Sequence, residues 1–136
     1  MKKVLVLCTG NSCRSIMAEA LINQLRAGVY KAESAGSAPA GYVHPSSIDT
    51  LKRHGVDIIE PRSKSWDEFA TERFDTVITV CDQAANESCP VFPGSPHKLH
   101  WSIPDPAKAQ GSDDKITKVF DDAYRLLKSR IEKELL

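Results

Sequence analysis

The sequence predicts a three-layer α/β domain, in which a parallel sheet lies between two layers of helices. Strand-like and helix-like segments alternate along the chain, and such alternation is typical of a parallel sheet with helices on both faces. The apolar run at residues 4–7 predicts a first strand that is buried on both sides. A chain of 136 residues is long enough to build one hydrophobic core, so we expect a single domain over residues 1–136.

Apolar periodicity and the positions of glycine and proline predict the other elements. In chain order they are a helix from near Ser12, a strand at 30–35 closed by Gly36, a helix at 46–54 ending at Gly55, a short helix at 66–72, a strand at 76–80, a loop at 89–100, a short strand at 99–101 and a helix at 115–136. The first helix should bury Ile16, Met17, Ala20, Leu21 and Leu25. The last helix should bury Ile116, Val119, Phe120, Ala123, Leu126, Leu127 and Ile131.

Composition argues against several classes of function. The chain carries 18 basic and 18 acidic residues, and this balance argues against a surface that binds nucleic acid or anionic membranes. The apolar run that follows Lys2 and Lys3 ends at Cys8. That run is too short for a signal peptide or a membrane span, so we expect a cytoplasmic protein.

The four cysteines, Cys8, Cys13, Cys81 and Cys89, favour thiol chemistry over a structural role. A reducing cytosol disfavours a framework of stable disulfides. The sequence has no C-x-x-C pair, and its four histidines do not stand at ligand spacing from the cysteines. We therefore expect no metal site.

The segment between the first strand and the first helix carries the strongest functional signal. Its sequence is Cys8-Thr9-Gly10-Asn11-Ser12-Cys13-Arg14-Ser15. Open α/β sheets bind ligands at the carboxyl ends of their strands, and the N–H groups of a loop and a helix N-terminus can converge on a tetrahedral anion. Gly10 should supply the unusual backbone angles of this loop, and Arg14 should offer a planar fork to two oxygens of the anion. We therefore predict an oxyanion site at residues 9–14.

Cys8 is the predicted nucleophile. The N–H groups and Arg14 should lower the pKa of its thiol, so that a thiolate stands at the floor of the site at neutral pH. Ser15 is expected to donate a hydrogen bond to the Cys8 sulfur, and Asn11 to hold the shape of the loop. The alternative is a glycine-containing turn with an inert, buried cysteine, which the position between a buried strand and an amphipathic helix disfavours.

This segment resembles the C-x5-R-S loop of the low-molecular-weight tyrosine phosphatase fold and, more narrowly, that of the arsenate reductases with this fold. The match includes the whole loop, Met17-Ala18-Glu19, Ser34-Ala35-Gly36, His100-Trp101 and Asp105-Pro106-Ala107, and so covers nearly the whole chain. The resemblance implies a four-stranded parallel sheet, Cys8 as the nucleophile and arsenate as the substrate, with phosphate or sulfate as mimics. We expect a monomer that holds no cofactor and depends on an external thiol reductant.

Three further residues take their roles from this resemblance. Asp105 is implied to be the general acid that protonates the leaving oxygen; from the residues alone, an aspartate that forms a turn before proline is an equal alternative. Reduction of arsenic(V) to arsenic(III) takes two electrons, which thiols supply by ending as a disulfide. The family implies that Cys8 forms the arsenic adduct, Cys81 attacks Cys8 and releases arsenite, and Cys89 then captures Cys81.

The spacing of Cys81 and Cys89 sets a condition on this relay. A fully helical segment would separate the two residues by ~12 Å, whereas a disulfide allows a Cα separation of only ~4.4–6.8 Å. The segment must therefore be irregular or must unwind. The seven residues between the two cysteines are one more than in thioredoxin-linked members of the family. Two reductants therefore remain open: thioredoxin, or glutathione with glutaredoxin. In the second case Cys89 would be optional.

The resemblance also bears on a monovalent cation. Some reductases of this group bind potassium with positions that match Asn11, Glu19 and Ser34, together with an aspartate on a neighbouring loop. Lys64 stands at the position of that aspartate. Its ammonium is expected to take the place of the ion.

Two other functions stay open at this stage. A tyrosine phosphatase would use the same loop and acid through a phosphocysteine intermediate. However, Ala107-Lys108-Ala109 follows the acid and offers no aromatic wall to a phosphotyrosine ring. A non-catalytic oxyanion or redox sensor is disfavoured by the complete set of Cys8, Arg14 and Asp105. Reduction of arsenate to arsenite is the predicted function.

Overall fold

Four parallel strands form the sheet in the computed structural model, which describes residues 1–58, 61–80 and 92–135. They are β1 (Lys2–Cys8), β2 (Tyr30–Gly36), β3 (Thr76–Thr79) and β4 (His97–His100), in the order β2-β1-β3-β4. All neighbouring pairs are parallel. The predicted four-stranded parallel sheet is confirmed.

Three α-helices and two short 3-10 helices complete the described part of the chain. The α-helices are α1 (Arg14–Leu25), α2 (Pro45–Arg53) and α3 (Asp113–Glu134), and the 3-10 helices span Trp66–Phe69 and Pro106–Lys108. None of the helices within the described ranges is long and apolar enough to cross a membrane.

The central strand β1 contributes to two apolar clusters, because successive side chains of a strand point to opposite faces of the sheet. Val4 and Val6 share one cluster with residues of all three α-helices, including Met17, Leu51 and Phe120. The second cluster contains Leu5, Leu7, Ala35, Trp66, Phe69, Phe74, Val77 and Phe92. The apolar run at residues 4–7 is fully buried, as the sequence predicted.

Some predicted boundaries were wrong, two of them because a strand pairing or a helix cap decides the boundary. The helix predicted at 66–72 ends at Phe69. Strand β4 covers His97–His100 instead of 99–101, because Thr76 to Thr79 of β3 pair with these residues inside a stretch predicted as loop. Helix α3 begins at Asp113 instead of 115, because the Ser112 hydroxyl accepts a hydrogen bond from the Lys115 N–H at 3.2 Å and caps the helix.

Leu126 is a further error, since its side chain is 45% exposed. Six residues after Phe120 correspond to about 240° around a helix, which turns Leu126 away from the core. Tyr124, which the sequence prediction omitted, lies on the buried face with Phe120, Ala123 and Leu127. The aromatic ring of Tyr124 stacks on His54 at the end of α2, with ring centroids 4.0 Å apart.

The end of β2 lies directly against the loop that follows β1. The pairing register sets Gly36 beside Cys8, and a Cβ added at Gly36 would lie 2.3 Å from the Thr9 carbonyl oxygen and 2.8 Å from that of Cys8. No side chain fits in this space. Gly36 therefore allows β2 to support the loop that carries Cys8.

We expect Gly36→Ala to lower the free energy of unfolding by about 1–3 kcal/mol, because the added methyl group must displace the loop backbone. Urea denaturation measures the change. Gly10→Ala is the matched control in the loop itself, since its methyl group would meet only Ser12 Oγ, at 3.7 Å. The control should shift the free energy of unfolding by less than about 1 kcal/mol. Equal losses in the two variants would contradict the close approach of β2.

Candidate active site

A cavity of about 600 Å³ opens at the carboxyl ends of the strands, where ligands bind in open α/β sheets. Its walls come from two loops: the β1–α1 loop, here called the oxyanion loop (residues 8–14), and the segment after β4, here called the acid loop (residues 102–108). The described residues that line it are Cys8, Thr9, Gly10, Asn11, Ser12, Cys13, Arg14, Ser102, Ile103, Pro104, Asp105, Ala107 and Lys108. The structure thus brings the predicted nucleophile, arginine, acid and oxyanion-loop residues together.

Asn11, not Gly10, supplies the unusual backbone angles of the oxyanion loop. Asn11 has a φ of 47°, whereas Gly10 does not have a positive φ. The expectation for Gly10 was therefore wrong. Asparagine tolerates the left-handed region better than other residues with a side chain, because its short polar group can hydrogen-bond locally.

The Asn11 side chain is fully buried and ties the loop to three parts of the fold. Its Nδ2 donates to Ser15 Oγ at 2.8 Å and to Ser34 Oγ at 3.0 Å. Its Oδ1 accepts from the Lys64 backbone N–H at 2.7 Å. Asn11 therefore acts on the shape of the loop, in the way that the sequence predicted. The predicted hydrogen bond from Ser15 to the Cys8 sulfur stays a prediction.

A strap formed by residues 38–44 holds the outer side of the oxyanion loop. The N–H groups of Ala38, Ala40 and His44 donate to the carbonyl oxygens of residues 9, 10 and 12, at 2.8–3.0 Å. The Ser63 and Ser47 hydroxyls donate to the carbonyls of residues 10 and 12, at 3.0 and 3.1 Å. These carbonyl oxygens point toward their donors, so they do not repel an anion in the cavity.

Helix α1 presents its N-terminus to the same cavity. The helix begins at Arg14, and its N-cap residue Cys13 makes no hydrogen bond from its side chain to the first turn. The first N–H groups of a helix have no partner within the helix, and the helix dipole is positive at this end. The start of α1 is therefore suited to an anion.

Cys8 and Cys13 are both buried and reduced, but they differ in position. Cys8 ends β1 at the floor of the oxyanion loop. Burial raises the pKa of the Cys13 thiol, although hydrogen bonds with Ser47 and Ser12 oppose this effect. Cys13 is therefore expected to stay a neutral thiol with a structural role.

Arg14 joins the oxyanion loop to the acid loop. Its Nη1 donates to the Ile103 carbonyl oxygen at 2.9 Å, and its Nη2 lies 3.5 Å from Asp105 Oδ2. The other carboxylate oxygen of Asp105 accepts from the Ala107 N–H at 3.0 Å and caps the 3-10 helix Pro106–Lys108. Both oxygens of the predicted acid are thereby oriented at the edge of the cavity.

Behind the oxyanion loop, a buried lysine meets two glutamates. Lys64 is 6% exposed, and its Nζ lies 3.4 Å from Glu19 Oε1 and 4.0 Å from Glu33 Oε2. The Ser34 hydroxyl donates to the same Glu19 oxygen at 3.1 Å. Burial raises the pKa of Glu19, and the nearby Lys64 ammonium opposes the rise. A cationic group thus occupies the Glu19–Ser34 cluster that the resemblance singled out.

The relay cysteines Cys81 and Cys89 lie outside the described residues, and so does the segment between them. Among the residues that are described, no group of three or more His, Cys, Asp or Glu side chains could hold a metal ion. The sequence did not predict that residues 38–44 would hydrogen-bond to the oxyanion loop, or that Lys108 would line the cavity. Pro39, Gly41 and Pro45 indicated a loop there, but not the element that the loop contacts.

We expect Lys64→Met to lower the free energy of unfolding at neutral pH by about 3 kcal/mol, because it leaves a buried carboxylate without its countercharge. The double variant Lys64→Met/Glu19→Gln should recover more than half of this loss. Lys31→Gln, which removes an exposed lysine, is the control. Urea denaturation of the four proteins measures these changes.

The same variant has a defined pH dependence. A raised pKa means that folded Glu19 holds its proton to a higher pH than unfolded Glu19, so stability falls as pH rises through the folded pKa. Without Lys64 that pKa rises further. The difference between Lys64→Met and the natural sequence should therefore be larger at about pH 8 than at about pH 5. A difference that is constant with pH would contradict the Lys64–Glu19 pairing.

Comparisons with known proteins agree with this geometry. The family model of the low molecular weight phosphotyrosine protein phosphatase matches residues 3–135. The arsenate reductase of Halalkalibacterium halodurans is 39% identical over 119 residues, which cover 88% of this chain and 84% of that protein. A solved structure of an arsenate reductase in the phosphate binding state is 30% identical, with a TM-score of 0.76, and the match covers 98% of this chain and 95% of that one.

A thioredoxin-dependent arsenate reductase of Corynebacterium glutamicum is also similar in structure. It is 28% identical with a TM-score of 0.67, and the match covers 98% of this chain and 63% of that one. The family match spans nearly the whole sequence, and the oxyanion loop and the acid loop form one cavity within it. The chain therefore belongs to the low molecular weight phosphotyrosine protein phosphatase family.

Proposed function

We propose that this protein reduces arsenate to arsenite, with Cys8 as the nucleophile. The proposal rests on the cavity in which Cys8, Arg14 and Asp105 meet. Carbonyl oxygens of the oxyanion loop accept hydrogen bonds from the strap, and so point away from this cavity. The relatives named arsenate reductases support arsenate as the oxyanion. We further propose a cytoplasmic monomer that holds no cofactor or metal of its own.

In the first step, the Cys8 thiolate attacks the arsenic atom of arsenate. An arsenic–sulfur bond forms as an arsenic–oxygen bond breaks, and Asp105 gives a proton to the oxygen, which leaves as water. The loop N–H groups and the start of α1 stabilise the charge on the remaining oxygens, because these fixed dipoles need no rearrangement. Arg14 is able to bind two of these oxygens with its guanidinium fork.

In the second step, Cys81 attacks the Cys8 sulfur. A disulfide forms between the two, the electron pair of the arsenic–sulfur bond stays on arsenic, and arsenite leaves as arsenic(III). Cys89 then attacks Cys81, which restores the Cys8 thiol and leaves a Cys81–Cys89 disulfide. An external thiol reductant supplies two electrons to reduce that disulfide. We propose thioredoxin for this role, in line with the C. glutamicum relative, and glutathione with glutaredoxin as the alternative.

A tyrosine phosphatase is the second candidate function. The same cavity suits phosphate as well as arsenate, and the family includes phosphatases by name. In that reaction Cys8 would form a phosphocysteine that water hydrolyses, without Cys81 or Cys89. The acid loop lines the cavity with Ala107 and Lys108 and no aromatic ring among the described residues, so it offers little to a phosphotyrosine ring.

The direct test is arsenate-dependent consumption of NADPH, first with thioredoxin and thioredoxin reductase and then with glutathione, glutaredoxin and glutathione reductase. Cys8→Ser should abolish turnover in both systems, by at least about 1,000-fold, because the nucleophile is lost. Asp105→Asn should lower kcat by about 100-fold or more. Cys81→Ser should also abolish turnover, and Lys31→Gln, at an exposed position far from the cavity, serves as the control that keeps it.

The outcomes separate the alternatives. Turnover with thioredoxin that needs Cys8, Cys81 and Cys89 establishes the relay of three cysteines. Turnover only with glutaredoxin, with Cys89→Ser still active, assigns the protein to the glutathione-coupled type. If neither system supports turnover and an aryl phosphate is cleaved rapidly, the protein is a phosphatase and the reductase proposal is wrong.

We further propose that activity does not depend on potassium. The Lys64 ammonium lies 3.4 Å from Glu19 Oε1, within the cluster that holds the ion in some relatives. Turnover should be equal in potassium and sodium buffers of the same ionic strength. A clear activation by potassium over sodium would count against this role of Lys64.

A further inference from the structure

We propose that Lys108 recruits the doubly charged oxyanion to the cavity, acting on the binding of arsenate and not on its chemistry. This inference rests on the proposed function, because it names a residue that serves substrate binding at the same site. It assigns the class of ligand as a tetrahedral dianion, for which inorganic phosphate is a probe.

The charges that line the cavity give the first argument. Apart from the thiol of Cys8, the described lining residues that carry a formal charge are Arg14, Asp105 and Lys108. Arg14 already faces Asp105, at 3.5 Å, and donates to the Ile103 carbonyl oxygen at 2.9 Å. The Arg14 and Asp105 charges therefore largely offset each other before an anion arrives. Lys108 is left as the uncompensated positive charge in this wall.

The position of Lys108 gives the second argument. It ends the 3-10 helix Pro106–Lys108, which begins directly after Asp105, and its N–H donates to the Asp105 carbonyl oxygen at 3.3 Å. Pro106 is buried and anchors this short helix. The backbone of Lys108 is therefore fixed relative to the acid, whereas its side chain is exposed and has no ion pair with any described residue. No acidic group among the described residues therefore offsets the Lys108 charge before a ligand arrives.

Simple electrostatics sets the expected size and the signature of the effect. An exposed charge acts over ~8–10 Å at physiological ionic strength, so Lys108 attracts a ligand at the cavity mouth and loses influence as salt is added. A dianion feels twice the attraction of a monoanion at the same distance. Because arsenate and phosphate carry similar charge, Lys108 should not distinguish between them. That distinction is then left to the redox chemistry that follows attack by Cys8.

The test measures anion binding without requiring turnover. Phosphate in the cavity should protect Cys8 from iodoacetamide, and mass spectrometry of the Cys8 peptide gives the phosphate concentration for half protection. Lys108→Gln should raise this concentration by about three- to tenfold at low ionic strength, and high salt should reduce the difference. Lys108→Arg should restore binding, since it keeps the charge.

Lys31→Gln is the matched control. It removes one positive charge, but Lys31 pairs with Lys3 in β2–β1, about 16 Å along the strand from Cys8. The half-protecting concentration should not change in this variant. With arsenate, Lys108→Gln should raise KM by a similar factor and leave kcat within about twofold, which a general loss of structure would not do.

Failure of this inference is distinct from failure of the proposed function. If phosphate protects Cys8 and Lys108→Gln weakens the protection, Lys108 recruits the anion even in a protein that does not reduce arsenate. The inference is overturned if Lys108→Gln binds phosphate as tightly as the natural sequence, or if Lys31→Gln weakens binding equally. It is also overturned if Lys108→Gln lowers kcat with KM unchanged.

Discussion

The hydrogen bonds of the buried Asn11 side chain hold the site together. The hydrogen bonds of its side-chain amide reach α1 through Ser15 and β2 through Ser34. They also reach the segment before the first 3-10 helix through the Lys64 N–H. The left-handed backbone of Asn11 then turns the loop along the wall of the cavity. Since a buried polar group without a partner costs ~1–3 kcal/mol, removing this one side chain would loosen the loop from all three supports at once. Cys8, the N-terminus of α1 and Arg14 are ordered together, because Asn11 connects the elements that surround them.

Charge is organised around the loop in two layers, although the chain has no formal net charge. Behind the loop, Lys64 lies between Glu19 and Glu33, and none of these three charged residues lines the cavity. In front, Arg14 and Asp105 pair across the cavity edge. Neither pair places a free negative charge near Cys8. Fixed N–H groups and Arg14 stand ready for the charge of an oxyanion, so the proposed binding and reaction would need little rearrangement of the site. The Gly36 backbone and the strap at residues 38–44 lie against the far side of the loop and restrain its backbone.

The sequence predicted which residues meet in the cavity better than it predicted what supports them. Cys8, Arg14 and Asp105 could be placed at one site because they are local in the chain or belong to a motif, and the same motif led to the family and the sheet. The unusual backbone angles were assigned to Gly10 from the sequence, although Asn11 adopts them. A glycine near a turn is a weak signal, and the buried hydrogen bonds that fix Asn11 include those with residues distant in the chain. The strap contacts, the start of β4 at His97 and the exposed side of Leu126 depend on partners distant in the chain. Apolar periodicity does not encode such partners.

We expect the oxyanion loop to be shaped for a tetrahedral anion before one binds, with Cys8 at its floor. The decisive measurement is a crystal structure with phosphate bound, compared with the unliganded crystal. Phosphate should lie within about 3–3.5 Å of the Cys8 sulfur, contacted by loop N–H groups and Arg14, and Asn11 should keep its positive φ and its hydrogen bonds to Ser15 and Ser34. Phosphate bound elsewhere, or a loop that rearranges and breaks the Asn11 hydrogen bonds to receive it, would show that the loop is not shaped in advance.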